Sequence, residues 1–490
     1  RGRQGAGMAD LRIDNGVVVT MDPRRRVIEG GSVAIEKDRI VAVGPTARVA
    51  RSHPARRVID AARKAVIPGL VDAHAHAGHG LVKTMGGGRG DLWYEACHAI
   101  YTGASPESFW RAEAQLAALE RLRFGVTTGV SLLGGGDSVM RSDEPSYCDA
   151  HCDGVLEVGT RSVVAVGPTR PPHPRTYARW RGRKRIERAV SFEDQLDTCR
   201  ALLRSWHRSH GRRVSLALIT PTLRREHLRS MDRALLDEAM RQAKATRALS
   251  REAGVVFTQD GHQRGSVALA GRLGLLGPDA LLSHATDLTR AEIALCASTG
   301  TRIAHNPSAI ASVYGRCPAP ELIDAGVTVA LGSDGTAPDR SADMFRHMQQ
   351  CMHYHRRHFR DASLMPPGKV LEMATIDAAR ALGMDDDIGS LEKGKKADVV
   401  LVDLAKPHLY PLNMPVFRLA CFANGADVDT VVVDGRVALA GGKPVLVDER
   451  KVLDAAQREA ERMLDRAGLR HLLREPRGIW GASRYETGPA

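Results

Sequence analysis

Between residues 65 and 331 the chain repeats one pattern eight times, a short apolar run followed by a polar or Gly-rich break. The runs lie at 65–71, 127–131, 162–166, 215–219, 255–258, 280–283, 301–304 and 328–331. Helical stretches at 109–123, 194–207, 233–253, 289–298 and 321–325 fall between several of them. Apolar strands separated by helices predict a parallel sheet, because a parallel connection needs a crossover. Eight such units are what a closed (β/α)₈ barrel needs. The barrel is assigned to 67–395. In that architecture reactive residues stand where strands end on the C-terminal face.

The flanks have a different texture. Residues 9–66 and 396–447 carry β-branched runs such as Val17-Val18-Val19-Thr20 and the stretch 397–402 (ADVVLV). Turn signals such as Asp14-Asn15-Gly16 and Asp434-Gly435 punctuate them. Together they predict one small β-sandwich domain built from both ends of the chain, giving an α/β protein overall. Residues 134–190, rich in Gly, Pro and Arg, read as an insertion or lid. Residues 448–490 read as a charged helix capped by Asp448, then a frayed tail. Residues 1–8 lack an apolar core, so they read as tag-like or disordered rather than as a secretory signal.

Composition removes several functions. Hydrophobic residues make up 43% and charged residues 26%, the balance of a folded soluble chain. The formal charge is +13, but the basic residues are scattered and only 4% of residues are aromatic. Stacking platforms for bases are therefore few, and no nucleic-acid partner is expected. No apolar window is long enough for a membrane span. The eight cysteines lie mostly singly, which suits a reducing compartment and a cytoplasmic address. Cys148, His151 and Cys152 have no second pair at zinc-site spacing, so no structural zinc is expected there.

Chemistry gathers at the strand ends. The first run continues Val71-Asp72-Ala73-His74-Ala75-His76, and alternation on a strand puts His74 and His76 on one side. Later runs end in His262, His284 and Asp334. Imidazoles and one carboxylate converging at a barrel mouth suit a divalent cation with a position left for water. Such an ion brings the pKa of water toward neutrality.

Five segments carry a resemblance. They are 66–76 (VIPGLVDAHAH), 124–128 (FGVTT), 281–307 (LLSHATDLTRAEIALCASTGTRIAHNP), 331–338 (LGSDGTAP) and 374–403. Together they resemble the amidohydrolase superfamily, in particular the group with cytosine deaminase and the triazine hydrolases, near phenylurea and thiocarbamate hydrolases. The resemblance implies a (β/α)₈ barrel with a small β-sandwich. It implies one divalent metal on His74, His76, His262 and Asp334, with Zn²⁺ foremost and Fe²⁺, Co²⁺ or Mn²⁺ compatible. His284 would hydrogen-bond the attacking water or the substrate, and Asp334 would also take the proton of that water. Two-metal relatives use a lysine on the fourth strand. The stretch 216–221 (LALITP) has none, which favours one metal. The resemblance also implies a homo-oligomer.

The departures matter as much. The fifth-strand motif of the deaminases is His-x-x-Glu, whose Glu carries protons to the ring nitrogen and the leaving ammonia. Counting from His262 the third residue is Gly265, so that carboxylate is missing. Asp260 is the nearest carboxylate, two residues before His262 and expected on the same side of the strand. His305 lies in a partial match to the family's seventh-strand motif and is a candidate for the pocket wall. His79 and Trp93, in the loop after the first strand, are candidate substrate contacts. The His-rich run 346–358 reads as a solvated helix face.

These observations predict a hydrolase that cleaves a non-peptide carbon–nitrogen bond of a small molecule with metal-activated hydroxide. The missing Glu favours amide, urea or carbamate cleavage. The alternative is a heterocycle deaminase or dechlorinase, and a third possibility is a barrel that binds metal without turnover.

Overall fold

The computed structural model describes residues 8–137 and 139–484, so the expectation for residues 1–8 lies outside the described residues apart from Met8. Eight strands form the barrel: β1 Leu70–Asp72, β2 Val126–Leu132, β3 Arg161–Val166, β4 Val214–Ile219, β5 Phe257–Gln259, β6 Ala280–Ser283, β7 Arg302–His305 and β8 Val329–Leu331. Neighbours pair in parallel in chain order. The ring closes between β8 and β1, where Ala73 N donates to Leu331 O at 3.0 Å and Asp334 N to His74 O at 2.8 Å. That closure brings the His74–His76 strand end against Asp334.

Helix ends follow local chemistry. Phe192–Trp206 starts on a capping box between Ser191 and Asp194, and Arg290–Thr299 on one between Thr289 and Glu292. Arg233–Ala253 starts where Asp232 accepts from Leu235 N and ends on left-handed Gly254. The C-terminal helix Glu449–Ala467 starts where Asp448 accepts from Lys451 N.

The run 65–71 is not one strand. It breaks at Gly69, where a Cβ would lie 2.0 Å from Thr127 Oγ1. Lys64–Pro68 before the break pairs antiparallel with Val399–Asp403, and only Leu70–Asp72 enters the barrel. Four N-terminal strands join Lys64–Pro68 and four C-terminal strands in one nine-stranded sheet. Arg161 at the start of β3 ties this sheet to the barrel, donating to both carboxylate oxygens of Asp398 at 3.1 and 3.2 Å.

Residues 134–190 differ from the insertion read in the sequence. They contain the helix Pro145–Val158 and the barrel strand β3. Only the antiparallel hairpin Arg175–Arg181/Lys184–Val190 leaves the barrel repeat. Prolines at 168–174 dominate the composition there and mask the regular elements on either side. The helix Met344–Phe359 also differs from the solvated face expected of it: His347 and His355 are buried, while His353 and His358 are exposed. No helix among the described residues is long and apolar enough to cross a membrane.

Candidate metal centre

His74 and His76 leave β1 on one side, as alternation requires. His76 Nδ1 lies 2.9 Å from Gly134 O. Donation to that carbonyl fixes the ring and turns Nε2 to Asp334 Oδ1 at 3.1 Å. His74 Nε2 lies 3.8 Å from the same Asp334 oxygen and 3.2 Å from Asp260 Oδ1, yet it is buried and makes no hydrogen bond. His284 Nε2 approaches Asp260 Oδ1 at 3.1 Å, and its Nδ1 meets Asn306 Nδ2 at 3.4 Å. Two groups thus share His74: His74, His76 and Asp334, and His74, Asp260 and His284, each with ligand atoms within 4.8 Å of one another.

His262 is not in either group. Gly261 has φ +77°, so the extended strand ends there and alternation stops. A Cβ at Gly261 would also lie 2.2 Å from Arg224 Nη2. Beyond the turn, His262 Nδ1 pairs with Ser266 Oγ at 2.9 Å, and its Nε2 is buried without a partner. The side chain lines a small void with Leu269 and Leu273, and it stays close enough to Asp260 and His284 to feel their charge. Asp260, expected to assist the metal or the proton transfer or to anchor a loop, stands in the cluster with His74 and His284. A carboxylate one residue beyond the end of β5 is the signal that reveals it.

Electrostatics support a cation. Burial opposes ionisation of Asp260 and Asp334, but neighbouring positive groups outweigh it and hold both well below the usual carboxylate range. His74 and His284 act on Asp260, and Arg340 and His76 on Asp334. Burial also lowers His76, yet the hydrogen bond it donates to Asp334 and the two carboxylate charges lift it to about 8. Two ionised carboxylates among buried imidazoles, with an unsatisfied Nε2 between them, form a donor set that a divalent cation completes.

The backbone is strained at this site. His284 has φ +64° and Asp334 φ +59°, a region that residues with a Cβ seldom occupy. Asp72 holds the Asp334 turn. Its carboxylate accepts from Ser333 N at 2.8 Å, Ser333 Oγ at 2.7 Å and Arg121 Nη2 at 3.3 Å. This residue was passed over in the sequence because it precedes the His-x-His pair and looks like part of the strand.

The cluster opens into a cavity of about 500 Å³. His79 and Trp93 line it, as do Asp260, His284 and Asp334. His79 stacks on His76 with ring centroids 4.6 Å apart, and its Nδ1 meets Tyr101 Oη at 2.8 Å. His305 does not line the cavity. It is fully buried and turns to the helix behind the barrel, with its Nε2 3.1 Å from His355 Nε2.

Residues 65–438 match the model of the amidohydrolase family, and a short stretch at 33–55 matches a bacterial imidazolonepropionase-like composite domain. The chain belongs to the amidohydrolase family. It is 30% identical to a 5'-deoxyadenosine deaminase of Methanosarcina mazei, over 94% of this chain and 99% of that one. It is 30% identical to a 5-methylthioadenosine/S-adenosylhomocysteine deaminase of Syntrophobacter fumaroxidans, over 92% and 97%. A zinc-bound adenosine deaminase structure from Xanthomonas campestris superposes with a TM-score of 0.80 at 25% identity, over 93% and 99%. A zinc complex of atrazine chlorohydrolase from Arthrobacter aurescens shares the fold, with a TM-score of 0.75 at 21% identity over 92% and 100%. This amidohydrolase is therefore a hydrolase acting on carbon–nitrogen bonds.

Proposed function

We propose that this amidohydrolase is an aminohydrolase, which replaces an amino group on a heterocycle by oxygen and releases ammonia. The amide, urea or carbamate cleavage expected from the missing Glu gives way for one reason. Asp260 puts a carboxylate inside the cluster, 3.1 Å from His284 Nε2, so the site does not lack a second acidic group. Relatives matched over nearly their whole length bear deaminase names, which supports the same choice.

In this reading His74, His76, Asp260 and Asp334 hold one divalent ion. Zinc is the first choice, since the zinc-bound neighbours share the fold. Such an ion supplies a Lewis acid and brings the pKa of water toward neutrality. Asp334, strongly acidic and fixed by the Asp72–Ser333 contacts, accepts the proton of the attacking water. The proton then passes to the leaving nitrogen. Asn306 opposite Nδ1 lets His284 keep a proton on Nε2, where it stabilises negative charge developing on the ring. Trp93, Ile219 and Ile310 give the cavity an apolar side against which a ring can lie.

The test is product analysis with the metal-loaded protein. Ammonia from 5'-deoxyadenosine, 5'-methylthioadenosine or another amino-heterocycle is the expected result. Amine release from ureas or carbamates, with no ring deamination, overturns the proposal.

A further inference from the structure

Three arginines reach the wall of the cavity from three strand ends: Arg170 after β3, Arg224 after β4 and Arg340 after β8. Each is held in place by backbone carbonyls and by a neighbouring carboxylate. Arg170 donates Nη2 to Thr222 O at 3.0 Å and Nε to Asp137 Oδ1 at 2.6 Å. It is only 7% exposed, and its Nη1 is buried without a partner. Arg224 donates Nε to Gly261 O at 2.9 Å and meets the rim carboxylate of Glu226 at 3.4 Å. Arg340 donates Nε to Gly335 O at 2.8 Å and Nη2 to Ala337 O at 2.7 Å, and it lies 3.5 Å from Asp334 and 3.4 Å from Asp339.

Carbonyls orient a guanidinium but do not neutralise it. The three aspartates that line the cavity, Asp137, Asp260 and Asp334, balance the three arginines in number, while Glu226 and Asp339 lie outside the lining with side chains 53% and 69% exposed and screened by solvent. A divalent ion on the proposed ligands then leaves the wall about two charges positive, because the histidines that face it are neutral when they ligate. Positive charge in a partly enclosed, low-dielectric space is costly until an anion enters. Guanidinium groups fixed by their backbone contacts are already shaped for carboxylate or phosphate oxygens.

We infer that the molecule taken into this cavity carries an anionic group, a carboxylate or a phosphate, received by Arg170, Arg224 and Arg340. This inference rests on the aminohydrolase reading and narrows its substrate to an acidic amino-heterocycle. The metal site and the apolar side of the cavity engage the ring, and the arginines select for charge.

The test measures affinity by calorimetry on the full, zinc-loaded chain, with ammonia followed in parallel. The probes are adenosine 5'-monophosphate, adenosine 5'-carboxylate and neutral 5'-deoxyadenosine. At least one anionic probe is expected to bind tenfold or more tightly than the neutral one. Preference for the phosphate or for the carboxylate names the group. The advantage should fall about tenfold in Arg224→Gln and Arg340→Gln, be partly kept in Arg170→Lys, and be unchanged in Arg233→Gln, whose side chain is 90% exposed. The wild-type comparison needs no variant to fold. Equal or weaker binding of both anions, or no measurable binding of either, overturns the inference. Anion preference without ammonia release keeps it and overturns deamination; ammonia from the neutral nucleoside without anion preference does the reverse.

Discussion

His74 Nε2 and Asp260 Oδ1 lie 3.2 Å apart in the barrel mouth, and the nitrogen makes no hydrogen bond. Ser283 Oγ donates to that Asp260 oxygen at 2.6 Å and so orients it, while the His74 nitrogen is left free for an ion. Asp260→Asn removes one anionic ligand while keeping shape. It is expected to weaken zinc binding at least tenfold and to lower kcat/KM by more than a hundredfold. Competition against a chromophoric chelator measures the first effect. Wild-type affinity in the variant would remove Asp260 from the ligand set.

His262 should behave oppositely. His262→Gln is expected to retain full zinc occupancy by elemental analysis. Burial holds His262 at about 3 in the folded chain, below the ordinary 6.5. The unfolded chain therefore takes up a proton on this ring below about pH 6.5 while the folded chain does not. Stability is lost as pH falls from 6.5 toward 3, by about 1.4 kcal/mol per pH unit for one such group. His262→Gln should make the fall shallower in urea titrations at pH 7 and pH 5. An unchanged slope would contradict burial as the cause.

His284→Asn separates binding from chemistry. The side chain reaches Asp260 with Nε2 and lines the cavity, and in our reading it is not needed to hold the ion. Zinc occupancy is expected to persist while kcat falls by roughly 10²–10³. Loss of zinc together with activity would make His284 a ligand instead.

Asp72 supports the site from behind. It is fully buried, with Ser333 and Arg121 as its partners. Asp72→Ala leaves Arg121 without its buried counter-charge and frees the turn that presents Asp334. A loss of about 3–5 kcal/mol in unfolding free energy is expected, with weakened zinc binding. A stable variant with normal zinc affinity would show that the turn holds itself.

The barrel was legible because its period is written in the chain: each apolar run and each helix cap is local. The same rule points to His74, His76, His284 and Asp334, whose ligand atoms the fold brings together, since strand ends define the mouth. At β5 alternation puts Asp260 and His262 on one side, and the turn at Gly261 interrupts it. The left-handed Gly261 ends the extended strand, and Asp260 before it reaches His74 while His262 after it pairs with Ser266. His305 failed for a different reason. Its partner, His355, lies 50 residues away on a helix whose facing no spacing rule reveals. The arginines that line the cavity were also hidden, because a guanidinium three or more atoms from its backbone is placed by tertiary contacts rather than by position on a strand.

Anomalous diffraction from crystals of the zinc-loaded protein, recorded on both sides of the zinc edge, tests the centre most directly. One strong peak is predicted, about 2.0–2.2 Å from His74, His76, Asp260 and Asp334. A peak coordinated by His262, or none in this cluster, would contradict the account.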